Sequence, residues 1–166
     1  MMIPTPIIWL MGLSAVGKTT TANFIAKELE SGGEKVHLLD GDDIRKVFPT
    51  GFTKDDIVAH IRRVIYIANI LNNHNIIVVA SFITACKEAQ QIVREMINPE
   101  RLLFVHLDCP LDELKKRDTK GIYKKGHIKF DSPEGADIFC VDTLRNSPMN
   151  VCRKIILKLK ETREEA

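Results

Sequence analysis

No apolar run in this 166-residue chain approaches the roughly 20 residues needed for a helix to cross a bilayer, so the sequence predicts no membrane span. Aromatic residues are scarce, at 6%, with a single tryptophan. Charge of either sign is not in excess: 24 basic side chains against 22 acidic leave a formal +2, too little to argue for a nucleic-acid or membrane-surface partner. The four cysteines (Cys86, Cys109, Cys140, Cys152) stand far apart with no C-x-x-C pair. That spacing argues against a zinc ribbon or a disulfide framework and for reduced thiols in the cytoplasm. Internal repeats, low-complexity tracts and composition breaks are also missing, so residues 1–166 read as one domain. The apolar stretch near the N-terminus lacks a basic leader and reads as a first strand, not a signal peptide.

What the chain does have is Gly12-Leu13-Ser14-Ala15-Val16-Gly17-Lys18-Thr19, a complete G-x-x-x-x-G-K-[ST] phosphate loop. Its glycines allow successive amides to point into one concavity, Lys18 supplies a positive charge for β- and γ-phosphates, and the Thr19 hydroxyl can ligate Mg²⁺. The setting fits. Ile7 to Met11 is a buried-strand pattern, and Thr20 to Leu29 carries apolar residues at helical spacing, so the loop opens a helix. Gly12, Ser14, Ala15, Val16, Gly17, Lys18, Thr19 and Thr20 are therefore the expected ATP contacts.

Further strands are predicted at Val36–Leu39, Ile76–Ala80, Leu102–Leu107 and Ile138–Val141. Helices are predicted over Lys54–Leu71, Lys87–Ile97, 112–118 and from Ser147-Pro148 onward, with a turn-rich stretch from Asp42 to Gly51. Alternation of strands and helices implies an α/β fold with a parallel sheet flanked by helices. Asp40-Gly41-Asp42 follows the second strand, at the edge where open α/β sheets bind ligands. Two carboxylates there can organise Mg²⁺ and accept a proton from an attacking hydroxyl. A helix-capping turn is the competing reading, and Asp108 after the fourth strand is a rival metal-site aspartate. Six basic residues against one acidic between Lys115 and Lys125 suit a mobile segment (about 117–136) that closes over phosphates. Tyr123 alone makes no base-stacking platform, which argues against nucleic acid.

In order and together, Gly12-Leu13-Ser14 with Gly17-Lys18-Thr19-Thr20, Leu39-Asp40-Gly41-Asp42 with Ile44-Arg45, Gly51-Phe52, Ile61-Arg62-Arg63, Ser81-Phe82-Ile83, Arg117-Asp118 with Lys120-Gly121 and Tyr123-Lys124-Lys125, and Val141-Asp142-Thr143 resemble the adenylyl-sulfate kinases. Those enzymes move the ATP γ-phosphate to the ribose 3′-hydroxyl of adenylyl sulfate. The resemblance implies a P-loop kinase fold with Mg²⁺ and ATP, and a small nucleotide as acceptor. It makes Asp42 the base or metal-organising carboxylate beside Thr19, with Arg117 on the ATP side. It puts Arg45 on the acceptor's phosphate end, Phe52 on its base, and Phe82 and Ile83 in its pocket, with Asp40, His60, Lys124 and Phe130 also facing it. Relatives often pair into homodimers, a point on which the sequence itself is silent.

The departures all fall on the acceptor side. An arginine and an asparagine of the family's D-R-x-x-N-I-R-R stretch are here Ile57 and His60. Ala85-Cys86-Lys87 replaces P-Y-R, and the segment from Ile128 to Glu134 is shortened. Two expectations follow and stay open: a related acceptor such as cytidine diphosphoramidate, or adenylyl sulfate itself. His60 reads equally as a helix-surface residue or a ligand contact. Kinases of sugar or antibiotic hydroxyls and a non-catalytic nucleotide sensor are the remaining alternatives.

Overall fold

The computed structural model of the chain describes residues 4–126 and 128–165, so one lid residue, His127, lies outside it. Five strands, β1 (Ile7–Met11), β2 (Val36–Asp40), β3 (Ile77–Phe82), β4 (Leu102–Asp108) and β5 (Ile138–Asp142), form one sheet in the order β2-β3-β1-β4-β5. Every neighbouring pair is parallel. The β1 and β3 strands are buried along their whole length because both faces are covered, which is why they read as unbroken apolar runs.

Helices α1 (Lys18–Ser31) and α6 (Pro148–Glu164) cover one face, and α3 (Lys54–Asn73) and α4 (Lys87–Met96) the other. Alternation along β1 divides its side chains between them: Ile8 and Leu10 join Ile25, Ile155 and Leu159, whereas Ile7, Trp9 and Met11 join Ile61, Val64, Ile65 and Val93. Trp9 is a core residue. Its ring stacks on Phe82 at 5.4 Å, and its Nε1 donates to Thr84 Oγ1 at 3.0 Å. The shorter α5 (Leu111–Arg117) follows β4.

The turn-rich expectation after β2 needs correction. Gly41–Val47 is a helix, α2, that starts directly on the last strand residue. It buries no residue, so it has no apolar stripe by which to recognise it. Apart from Ile44, which packs partly buried against the α3-side core, its stabilisation is local: Asp40 caps it, Asp42 and Asp43 stand in its first turn, and Arg45 and Lys46 in its last, each sign matched to the helix dipole.

The α3 face depends on close packing around the fully buried Ile65. Ile65→Ala is expected to destabilise the fold by about 2–5 kcal/mol, read as a lower denaturant midpoint at unchanged slope.

Candidate active site

Parallel strands all discharge at one edge of the sheet, and the chemistry-bearing residues gather there. The phosphate loop runs from β1 into α1. Gly12 is required by contact as well as by backbone: at φ +152, an added Cβ would lie 2.6 Å from the Leu107 carbonyl oxygen. Gly17 and Ala15 are in the left-handed region, at φ 97 and 66. Val16 plugs the loop into the core, 2% exposed. Gly17 caps α1 without a side chain, so no side-chain oxygen competes for the first amides of that helix. This end of α1 is set up to receive an anion. Lys18 folds back over the loop, donating from Nζ to the carbonyls of Gly12 and Leu13 at 2.8 Å each. Burial lowers its pKa to about 8, against the opposing pull of Asp40 and Asp42.

Asp40 ties this loop to α2. One of its carboxylate oxygens accepts from the Asp42 amide at 3.0 Å, and the other accepts from the Thr19 hydroxyl at 2.7 Å. A single side chain thus caps α2 and reaches the phosphate loop. The direct hydrogen bond of Thr19 is to Asp40, whereas the expectation for Asp42 was to share Mg²⁺ with Thr19. Asp42 projects from the first turn of α2 and forms an ion pair with Lys120. That bond, with Lys18 and Arg45 behind it, holds the Asp42 carboxyl below the usual range although burial opposes the shift. The hydroxyl and two carboxylates are hard oxygen donors that suit Mg²⁺ held mainly through water and phosphate. Among the described residues no cluster of three or more His, Cys, Asp or Glu side chains could form a protein-only metal cage.

The lid is tied down around Asp118. Burial pushes its carboxyl up, but the backbone N–H groups of Tyr123, Ile122, Lys120 and Gly121 more than offset this and hold it low. Tyr123 also donates its hydroxyl to the Ser14 carbonyl of the phosphate loop at 2.6 Å. Arg117 donates to Glu113 at 3.1 Å and to the Thr143 carbonyl at 3.1 Å. It lines a cavity of about 460 Å³ with Ala15, Gly17, Thr20, Asn146 and Pro148. The 143–148 wall of this cavity was missed as a site from sequence. Its signal was position: it follows β5 at the same sheet edge as every other loop here. The main-chain carbonyl of Asp108, the rival aspartate, accepts from both the amide and the hydroxyl of Thr143 at 2.9 and 3.2 Å, contacts that do not involve its carboxylate.

Among the residues expected on the acceptor side, the Arg45 guanidinium lies 4.8 Å from the centroid of the Phe52 ring, and Phe52 is 82% exposed. His60 is not a helix-surface residue: it is 2% exposed, edge-on to Phe82 at 5.9 Å, and neither ring nitrogen has a partner. Burial, then Arg45 and Arg63, lower its pKa and favour the neutral imidazole. Phe82 is itself buried between Trp9 and His60, Ile83 is half-buried, and Lys124 is exposed on the lid. Ile57, where the family has arginine, packs against the α3-side core. Phe130 stacks on His106 at 5.7 Å, at the end of β4. The shortened segment is strapped to the start of α4 by Asp131. Its carboxylate accepts from the Lys87 amide at 3.0 Å, its carbonyl accepts from Gln90 at 2.8 Å, and its amide donates to the Ala85 carbonyl at 2.8 Å.

A parallel sheet in this order, with a phosphate loop after β1 and a basic lid beside it, defines a P-loop kinase fold. The family model for adenylylsulphate kinase matches residues 5–137, and the chain belongs to that family. It is 38% identical to a probable adenylyl-sulfate kinase of Pyrococcus abyssi, over 93% of this chain and 94% of that protein. It is 35% identical to the adenylyl-sulfate kinase of Thermodesulfovibrio yellowstonii, over 93% and 84% respectively. The bifunctional enzyme NodQ of Rhizobium tropici is 33% identical, and there the match spans only 27% of the longer protein. In fold, the chain superposes on the Mycobacterium tuberculosis APS kinase CysC, solved with AMPPNP and APS, at a TM-score of 0.87. That match covers 95% of this chain and 98% of the other at 24% identity. Family membership makes the chain a phosphotransferase acting on a hydroxyl group. No helix among the described residues is long and apolar enough to cross a membrane.

Lys18 supplies a pH test. With its pKa lowered to about 8, the charged form that attracts phosphate predominates below that pH and is lost above it. Affinity for a non-hydrolysable ATP analogue is expected to be flat from pH 6.5 to 7.5. Above about 8 it should weaken by up to about tenfold per pH unit, a slope that Lys18→Ala should abolish.

Proposed function

We propose that this chain transfers the γ-phosphate of ATP to the ribose 3′-hydroxyl of a nucleotide bearing a phosphate-linked group. The favoured acceptor is cytidine diphosphoramidate, as used in capsule modification. The observation that carries this reading is a donor side that keeps the family's residues beside an acceptor side that does not. The loop, Lys18, Thr19 and the two aspartates converge within hydrogen-bonding reach, whereas Ile57 and His60 replace a charged and a polar side chain. Charge-assisted contacts are worth roughly 1.5–3 kcal/mol each, so losing an arginine–anion bond reshapes preference among acceptors.

In the proposed chemistry, the α1 amides and Lys18 hold the β- and γ-phosphates. Arg117 and the 143–148 loop flank the ATP base. Thr19, Asp40 and Asp42 would hold Mg²⁺, which when bound neutralises phosphate charge. Asp42 orients the 3′-hydroxyl and receives its proton as the oxygen attacks phosphorus in line. Arg45 meets the acceptor's phosphate end and Phe52 offers its exposed face to the base. His60 faces the same acceptor and Phe82 shapes the wall behind it, while Ile83, Lys124 and Phe130 complete the surround. The four free thiols suit work in the cytoplasm. The second reading is adenylyl sulfate as acceptor, which the 35–38% identity to adenylyl-sulfate kinases favours.

A coupled assay of ADP release, offering cytidine diphosphoramidate, adenylyl sulfate, nucleoside mono- and diphosphates and sugars side by side, decides among these. The proposal expects the highest kcat/KM with cytidine diphosphoramidate; a strong preference for adenylyl sulfate overturns it. Asp42→Asn should bind ATP within about threefold of the parent and lose transfer by about 10²-fold or more, and an active variant removes Asp42 from its role. Phe52→Ala should raise the acceptor KM by about tenfold while leaving the ATP KM unchanged, as expected for loss of one stacking platform.

A further inference from the structure

Gln90 stands near the start of α4, belongs to neither the ATP contacts nor the acceptor contacts assigned above, and is 2% exposed. A primary amide buried to that degree needs hydrogen-bond partners. The Gln90 Nε2 donates to the Thr84 carbonyl at 3.3 Å and to the Asp131 carbonyl at 2.8 Å, across 6 and 41 positions of sequence. Both of its hydrogens are thereby used. Thr84 follows directly on Phe82-Ile83, and Asp131 directly on Phe130. One amide nitrogen thus joins the two segments that carry the apolar walls expected around the acceptor.

Each segment is held on its other side as well. Thr84 sits in the left-handed region at φ 56, which a β-branched residue adopts only where its surroundings impose it. Its hydroxyl accepts from Trp9 Nε1 at 3.0 Å and donates to the Phe82 carbonyl at 3.3 Å, so the first wall is fixed to the core. On the second wall, the Asp131 amide donates to the Ala85 carbonyl at 2.8 Å. The Asp131 carboxylate accepts from the Lys87 amide at 3.0 Å, across 44 positions, where the α4 cap residue Cys86 offers no side-chain bond of its own. Arg94 continues the strap along α4, donating to the Glu134 carbonyl at 2.9 Å and to Asp137 at 2.6 Å. Phe130 enters this strap with its ring stacked on His106. A connecting segment at a sheet edge is ordinarily mobile, and these bonds hold this one in a single place.

We propose, resting on the acceptor reading above, that Gln90 is a positioning residue that sets the spacing between the Phe82-Ile83 wall and the Phe130 wall, and with it which nucleobase the acceptor site admits. The segment from Ile128 to Glu134 is too short to carry a frame of its own, and α4 supplies the frame through Gln90 and Asp131. Gln90 touches no reacting atom. It acts through Phe130, whose ring can stack on a base only where the strap puts it. Fixed walls discriminate by the size of what lies between them; a loosened wall binds the preferred base less well and rejects the others less sharply.

The test uses Gln90→Met, which keeps the length of the side chain and removes its donors, with Phe130→Ala, the double variant, Asp131→Ala and Asp131→Asn in the full chain. ADP release is followed with ATP and the best acceptor of the panel, and with a nucleotide of the other base size. Gln90→Met is expected to raise the KM of the preferred acceptor by about tenfold and to narrow its preference over the other base by a similar factor. Its kcat should stay within about threefold, and its ATP KM within about twofold. In the Phe130→Ala background, Gln90→Met should add less than about twofold, because it acts through that ring. Asp131→Ala should raise the acceptor KM by about threefold or more, and Asp131→Asn, which keeps an oxygen for the Lys87 amide, should restore it. An acceptor KM within about twofold of the parent in a folded Gln90→Met chain overturns the proposal. So does an equal rise in the ATP KM, or a double variant that shows the full product of the single effects. If Gln90→Met does not fold, the Asp131 pair decides: equal acceptor KM values for the alanine and asparagine variants overturn the proposal. A parent chain with no acceptor-dependent ADP release overturns the kinase reading and this proposal together. A Phe130→Ala effect without a Gln90→Met effect leaves that reading standing and removes this proposal alone.

Discussion

The Asp40 carboxylate joins three parts of the molecule that the sequence keeps apart. Its Oδ2 accepts from the Thr19 hydroxyl on the phosphate loop, and its Oδ1 accepts from the Asp42 amide that begins α2. The last residue of β2 thus sets where α2 starts relative to the loop, and with it where Asp42 and Arg45 stand. Without this cap, a helix of seven residues would rely chiefly on the partly buried Ile44 to hold it against the core. The sheet makes the junction reachable, since β2, β3 and β1 are adjacent and parallel and end at one edge.

Much of this arrangement was legible in the sequence because the signals were local. An unbroken apolar run ending in G-x-x-x-x-G-K-T can serve few purposes, and the spacing of Ile57, Ile61, Val64, Ile65 and Ala68 requires a helix with one inward stripe. Helix α2 was not legible: it opens on glycine, carries charge in each turn and shows no apolar period. His60 could have been placed better, since it stands four and eight residues before Val64 and Ala68 on the same helical stripe. Histidine chemistry divides the reading between the helix surface and a ligand contact, whereas the period puts the side chain inside. The Asp42–Lys120 pair and the Asp131 strap join segments distant in sequence, and no local signal announces such contacts.

The two sides of the site differ in how they are built. Backbone supplies most of the donor side: loop amides, the carbonyls that hold Lys18, and the Thr143 carbonyl under Arg117. Such a side is insensitive to many substitutions and, in the reading proposed above, would bind a phosphate chain common to a large class of enzymes. The acceptor side, in the reading proposed above, is made of side chains on α2, α3 and the segment after Ile128, where each replacement would alter what is recognised. A buried imidazole with two unpartnered nitrogens is a costly group to keep for packing alone. It is economical if an acceptor engages it.

That contrast defines the most direct measurement, which is to restore the family's residues at the two altered positions of α3. A chain carrying Ile57→Arg and His60→Asn should shift its kcat/KM ratio by about tenfold or more toward adenylyl sulfate and away from cytidine diphosphoramidate, with the ATP KM unchanged. An unaltered ratio in a folded double variant that still binds ATP would contradict the claim that acceptor choice resides on this face.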